Sequence, residues 1–352
     1  MEEKISVYVS SNVAETLEYD ARLFEIYKSN SSSDDISLNV NMNHFLSKLL
    51  IGYIDLYNTE CQTRRNEILD IINNRVGNSL DASIKEELKE QIFQKMFIKA
   101  QTKQKGKHSK KLSLKPTRET KAILDDIESN PQGDTVSGFL SKVFASYTDK
   151  AISEREKIIF NDTYVFLDRC CKDGKAIRFQ TINNSRFRDV IPYKIVKAKE
   201  EMSNYLLCGV IDESGNIYAQ SYRLSRIVAP KISDINLILS QNVINNLMRM
   251  EQNGPQFAIN DDEDTIVRFV NTDRQNGKST YRSIYFGRPT PYGDQEQEQK
   301  HEGIYRFGCS TSQSSLYFRR FNDVEVLAPA KLRNEIIEFH KKALECYENP
   351  EF

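Results

Sequence analysis

An α+β fold is predicted by three features of this 352-residue chain. A strand followed by two amphipathic helices occurs near the start and returns about a hundred residues later, an internal repeat. From residue 175 onward, short runs of alternating apolar and polar residues broken by Gly and Asn predict consecutive strands. The closing region then mixes helices and strands. The segments divide as 1–160, 161–232 and 233–352, in keeping with the two or three domains that this length suggests.

In the first copy Ile5, Val7 and Val9 alternate with Ser6, Tyr8 and Ser10, the period of a half-buried strand. A helix over Val13–Lys28 follows, then the polar break SNSSSDD. A longer helix starts at Asn41 or Asn43, both favoured N-cap types. Its apolar face runs through Met42, Phe45, Leu46, Leu49, Leu50 and Tyr53 toward Ile72. In the second copy Leu112 and Leu114 share one strand face, with Lys111, Ser113 and Lys115 on the other. Pro116 and Thr117 open a helix to Ser129, and NPQGD is a turn that offers Asp134 as an N-cap. Val136, Leu140, Val143, Phe144 and Tyr147 line one side of the next helix. A helix near 80–101 and a lysine-rich link join the copies.

Beyond them, strands are expected at Lys175–Gln180, Asp189–Ile195, Tyr205–Ile211 and Ile217–Leu224. The last two are joined by the hairpin loop Asp212-Glu213-Ser214-Gly215-Asn216. A helix over Asp234–Met250 leads to strands near 265–271, 281–287, 303–308 and 315–327, and a helix at 330–346 closes the chain.

Hydrophobic residues at 39% suffice for packed cores, and 28% charged residues fit a soluble protein. Stretches such as Phe45–Ile54 are too short and too interrupted to cross a bilayer. MEEKISVYV has no basic segment leading into an apolar run, so a cytoplasmic location without a membrane partner is expected. The net charge of −1 hides local structure: residues 101–124 carry eight Lys or Arg against one acid, and residues 173–231 carry ten against six. Such concentration is the electrostatic footprint of a phosphate binder, although the lysines of 103–111 also suit a solvated linker.

Catalytic chemistry finds little support. Phosphate-loop, dinucleotide-binding and hydrolase-elbow motifs do not occur. The six cysteines form no C-x-x-C pair and the four histidines lie far apart, so neither a metal nor another cofactor is expected. Cys170 and Cys171 end a helical stretch as small apolar residues. The cluster Asp261-Asp262-Glu263-Asp264 could hold Mg²⁺, but consecutive loop carboxylates usually face solvent. A non-enzymatic protein follows.

A strand–helix–helix unit of about 45 residues cannot bury its strand alone, because cores that small are marginal. Two strands paired antiparallel over four helices would present a ribbon of polar side chains, wide enough for the DNA major groove. These residues resemble the ribbon–helix–helix family. The second copy would offer Lys111, Ser113 and Lys115 and a phosphate-anchoring helix start at Gly133–Ser137; the first would offer Lys4, Ser6 and Tyr8. Pairing of the two copies within one chain is expected, and the ribbon either reads DNA or only holds chains together and reads nothing.

The stretch RFRDVIPYKIV…NYLLCGVID…YAQSYRLSRI, Arg186 to Ile227, resembles the WYL domain, a small Sm-like β-barrel. Asn204 stands where the name-giving tryptophan would sit, and the chain has no Trp. The resemblance implies a groove for nucleic acid or a small anionic ligand, carried onto Arg186, Arg188, Tyr193, Tyr205, Arg223 and Arg226. Guanidinium forks suit phosphate and tyrosine rings suit unstacked bases, so single-stranded nucleic acid fits better than a duplex. Tyr193 and Tyr222 read more readily as packing residues, and Arg186, Arg188 and Arg223 as ligand-binding ones. The last region resembles the α/β extension that follows many WYL domains and implies a homodimer.

The whole domain order is similar to the accessory proteins found beside type VI CRISPR effectors. That resemblance implies a protein that binds single-stranded RNA and enhances the effector's RNA cleavage without cutting RNA itself. The competing expectation is a transcriptional regulator with DNA on the ribbon and a ligand in the WYL groove.

Overall fold

The computed structural model describes residues 4–28, 39–77, 79–98, 109–129, 135–198, 201–260, 264–269 and 304–348. Two compact units result, Met1–Tyr164 and Val165–Phe352.

In the first unit β1 (Ile5–Ser10) and α1 (Ser11–Leu23) are followed by α2 (Met42–Val76) and α3 (Ala82–Phe93). β2 (Ser109–Leu114), α4 (Arg118–Ser129), α5 (Val136–Thr148) and α6 (Ile152–Ile159) complete it. The strands pair antiparallel within the chain, with Ile5 opposite Leu114, Ser6 opposite Ser113 and Tyr8 opposite Lys111. Their inner faces send Val7, Val9 and Leu114 into a core with Leu17, Phe45, Leu49, Tyr53, Val143 and Phe144.

Local chemistry sets the helix limits. Asn41 accepts a hydrogen bond from the His44 amide and starts α2, and Ser10 does the same for α1 through Val13. α1 stops at Leu23, short of the expected Lys28. Glu25 takes a left-handed backbone (φ 58°), and Tyr27 forms a β-bridge with Val40. α5 is capped by Thr135, whose hydroxyl accepts from Gly138, rather than by Asp134; residues 130–134 lie outside the described set. The lysines at 103, 105 and 107 lie outside it as well.

A buried ion pair ties α1 to α6. Asp20 is fully buried, and the Nε and Nη2 of Arg155 donate to its two oxygens at 2.7 and 3.0 Å. The Tyr147 hydroxyl adds a third bond at 2.9 Å, while Arg155 Nη1 caps the carbonyls of Thr148 and Lys150. Burial holds the Asp20 carboxyl above its usual range, with Arg155 and Tyr147 pulling it back.

α7 (Asn161–Asp173) leads into the second unit. There β3 (Ile177–Thr181), β4 (Asn184–Lys197), β5 (Asn204–Ile211), β6 (Ile217–Arg223) and β7 (Ile227–Ile232) form one antiparallel sheet in the order β6-β5-β4-β3-β7. The barrel expectation needs correction, because among the described residues no hydrogen-bonded pairing joins β6 to β7 and the sheet stays open. The chain turns from β6 into β7 through a single helical turn, Leu224–Arg226. β7 was not anticipated from the sequence. Its Ala229 has φ 48°, and Pro230 lacks a donor, which restricts such a segment to an edge.

α8 (Gln241–Asn253) covers part of this sheet, with Val243, Leu247 and Met250 packed on Val196, Tyr205, Leu207 and Ala219. It starts seven residues later than expected, where Ser240 caps it. Gly209 permits the close approach of the segment that leads into α8, since a Cβ there would meet Leu239 at 2.4 Å.

β8 (Thr265–Phe269) lies between β9 (Ile304–Phe307) and β10 (Val324–Ala328), with α9 (Thr311–Phe318) and α10 (Ala330–Glu348) around an aromatic core. The strand expected over 315–327 is therefore divided between a helix and β10. The Ser310 hydroxyl accepts from Gln313 and commits this Tyr–Phe-rich stretch to a helix. The strand expected at 281–287, and with it Tyr281, Arg282 and Tyr285, lies outside the described residues, as do 261–263 of the acidic cluster. Asp264 accepts from Arg306 at 2.7 Å. Among the described residues, no helix is long and apolar enough to cross a membrane, and no group of three or more His, Cys, Asp or Glu could hold a metal.

Candidate nucleic-acid interface

Two surfaces gather the residues singled out from the sequence. On the first unit, strand alternation sends Ser6, Tyr8, Lys111 and Ser113 outward, and all but the half-buried Ser6 are exposed. Lys4 and Lys115, also exposed, extend this face beyond the two strands. The outer edges of the ribbon are closed by helix side chains. Ser137 and Ser141 of α5 donate to the carbonyls of Ser6 and Tyr8 at 2.7 and 2.9 Å. Asn43 of α2 accepts from the Lys115 amide at 2.7 Å and donates to its carbonyl at 3.3 Å. Each second helix thus grips the strand of the other copy, which holds the ribbon flat against the core.

On the second unit, the five-stranded sheet separates residues that lie close in sequence. Tyr205 is opposite Arg223 and Leu206 is opposite Tyr222, so Tyr205 and Arg223 share one face while Tyr222 lies on the other. Arg188 is opposite Phe179, and the Phe179 ring meets Tyr222 edge-on at 5.0 Å. Arg188 therefore belongs to the Tyr222 face, opposite to Arg223. Burial pushes the Tyr222 hydroxyl up to about 12, with Arg188 acting against the shift.

The tyrosines are packing residues to differing degrees. Tyr205 is only 8% exposed, belongs to the core under α8, and donates its hydroxyl to the Glu201 carboxylate. Its ring is not offered to an unstacked base. Tyr193 is half-buried against the same core. Arg223 is half-buried beside Tyr205.

The cations at the sheet's rim are more accessible. Arg186 is exposed and pairs with the equally exposed Glu213 at 2.7 Å. An exposed pair of this kind is worth about 0–1 kcal/mol, so a phosphate can compete for the guanidinium. Arg226 is exposed in the turn before β7, and Arg188 is half-buried.

One residue escaped the sequence reasoning. Phe187, between the two arginines, is 41% exposed, and the Lys231 ammonium lies 4.7 Å from its ring centroid. Alternation places it on the same face as Asp189, which accepts two bonds from Arg178 at 2.8 and 2.7 Å. The Arg178 bonds, with a smaller contribution from the Ser233 hydroxyl, hold the Asp189 carboxyl below its usual range against the effect of burial. A period-2 reading of RFRDV would have found Phe187, since an apolar residue between two charged ones must lie on the opposite face. The part of the outer face not covered by α8 thus carries an exposed aromatic ring with a lysine over it, chemistry that suits an unpaired base and a neighbouring phosphate, whereas the Arg178 guanidinium there is already taken by Asp189.

No protein-family model matches this chain, and no curated protein does. Among solved structures it matches a chain described as a CRISPR Cas-related protein, at 20% identity and a TM-score of 0.69, over 100% of this chain and 96% of the other. A second match, proteasome accessory factor B/C (PafBC) of Arthrobacter aurescens, reaches 15% identity over 69% of this chain and 39% of that one, with a TM-score of 0.23. The second value is too low to support any statement about this chain. The protein shares its fold, along its whole length, with a CRISPR Cas-related protein.

Proposed function

We propose that this protein binds single-stranded RNA through the rim and open outer face of its five-stranded sheet. In this reading it is a homodimeric, non-enzymatic accessory that enhances an RNA-guided, RNA-cleaving effector of a type VI CRISPR system. The observation that carries the reading is the full-length likeness to a CRISPR Cas-related protein, an argument by analogy of fold. Accessible Arg186 and Arg226, half-buried Arg188, and the Phe187–Lys231 pair support it chemically.

Filter binding with labelled single-stranded RNA, single-stranded DNA and duplex DNA across salt tests the binding. Tight single-strand binding should weaken as salt rises, by about 0.7 in the log–log slope for each phosphate neutralised. Adding the protein to the effector should raise the rate of RNA cleavage, while the protein alone leaves RNA intact. Strong, sequence-dependent preference for duplex DNA would make it a transcriptional regulator instead, and no binding at low salt would end both readings.

A further inference from the structure

We infer that Phe187 is the base-stacking platform of the five-stranded sheet: one unpaired base lies on its ring, and Lys231, whose ammonium lies over that ring, takes the adjoining phosphate. The inference rests on the single-strand reading above and names the two residues that make its base contact. Neither is among those that the WYL resemblance implies.

Both residues lie on the face that α8 partly covers. Phe187 stands two positions from Asp189, Asp189 is opposite Arg178 on β3, and Arg178 is opposite Lys231 on β7. Strand alternation therefore puts all four on one side. α8 packs over β5, β6 and the far end of β4, through Val196, Tyr205, Leu207 and Ala219. It leaves β7, β3 and the first half of β4 uncovered, a strip two strand spacings or about 10 Å wide. The connection from Ser233 to Ser240 crosses the same face and bounds the strip. Its Ser233 hydroxyl donates to Asp189 Oδ1 at 2.6 Å on β4, and Leu239 packs on Gly209 of β5. The Arg178–Asp189 fork is thus the anchor of this connection, a task in which Phe187 and Lys231 have no part.

An aromatic ring 41% exposed within a strand contributes little to the core, and the Lys231 ammonium, 4.7 Å from its centroid, shows that the ring's face can be reached. Among the described residues no carboxylate holds Lys231. An exposed cation–π contact is weak, so a base can displace the ammonium, which then meets the phosphate beside it. The bases of a duplex are stacked on one another and reach a ring on a narrow, bounded strip only after leaving the helix. An unpaired base stacks on any aromatic face.

The chain has no tryptophan, so Phe187→Trp in the full-length protein places a single indole on the strip. Stacking of a base quenches its fluorescence. The probes are oligo(U) RNA, an abasic strand of the same length and an RNA duplex, and quenching by oligo(U) alone is expected. Phe187→Ala should weaken oligo(U) binding by roughly fivefold to 150-fold, the range for one stacked base, with the salt slope unchanged. Phe187→Leu, which keeps an apolar side chain but no ring face, should lose most of the same affinity. Lys231→Ala should lower the salt slope by about 0.7, the value of one phosphate on a single strand, and leave the quenching in place.

Binding of oligo(U) without quenching, equal quenching by the duplex, or unchanged affinity in Phe187→Leu overturns the inference. In those cases a loss of binding in Arg186→Ala and Arg226→Ala keeps the sheet as the RNA surface and removes only the platform. Failure of the unaltered protein to bind oligo(U) at low salt ends the proposed function, and the platform with it.

Discussion

The ribbon and the five-stranded sheet treat their polar side chains in opposite ways. In the ribbon, two short strands of unbroken register keep every expected outward residue on one face, and the helices close the edges without covering that face. In the sheet, register shifts at Phe179–Thr181 and Pro192–Lys194, together with α8 lying on one side, scatter the expected residues over both faces and the rim. A surface made of one regular strand pair can be read from alternation alone. A larger sheet also requires knowing which side is covered.

The largest effect that would test this contrast lies beneath the ribbon. Asp20→Ala should leave the Arg155 guanidinium buried without its counter-charge and cost about 3–5 kcal/mol. Urea unfolding would measure it, and a loss under 1 kcal/mol would show that α1 and α6 do not depend on the pair. On the sheet, Tyr205→Ala should cost about 3–5 kcal/mol of stability as an aromatic core truncation. Tyr205→Phe, which loses only the bond to Glu201, should cost about 1 kcal/mol and leave RNA affinity unchanged. A Tyr205→Phe variant that folds normally but no longer binds RNA would return this residue to the interface.

Smaller effects separate rim from face. Arg188→Ala should weaken single-strand binding by about 1–3 kcal/mol, the worth of one charge-assisted contact, with little change in unfolding midpoint. Arg186→Ala should change stability by less than about 1 kcal/mol, because its pair with Glu213 is exposed to solvent. The smallest effect concerns acid. The fold holds Asp189 below its usual range, so its contribution to stability is present at neutral pH and declines as pH falls through its lowered folded value. Asp189→Asn should therefore flatten the acid limb of a stability–pH curve while removing the Arg178 fork at neutral pH.

Much of the architecture was legible. The repeat, the outward triads Lys4-Ser6-Tyr8 and Lys111-Ser113-Lys115, and the apolar face of α2 all follow from periods of two and about 3.6 residues. Where reading failed, a local feature outweighed composition. Pro230 concealed an edge strand, and the Ser310 cap turned an aromatic stretch into a helix. Phe187 is flanked by Arg186 and Arg188, and only strand alternation places it on the face opposite to theirs.

The sequence by itself determined which residue types line each strand and which stripes of each helix must be buried, because those depend on the spacing of side chains along a single element. Only the tertiary structure decided that the ribbon closes within one chain, that Tyr205 is core, and that Arg188 and Arg223 lie on opposite faces. Those outcomes depend on register between strands and on what α8 covers, and both are set by contacts between residues far apart in the chain.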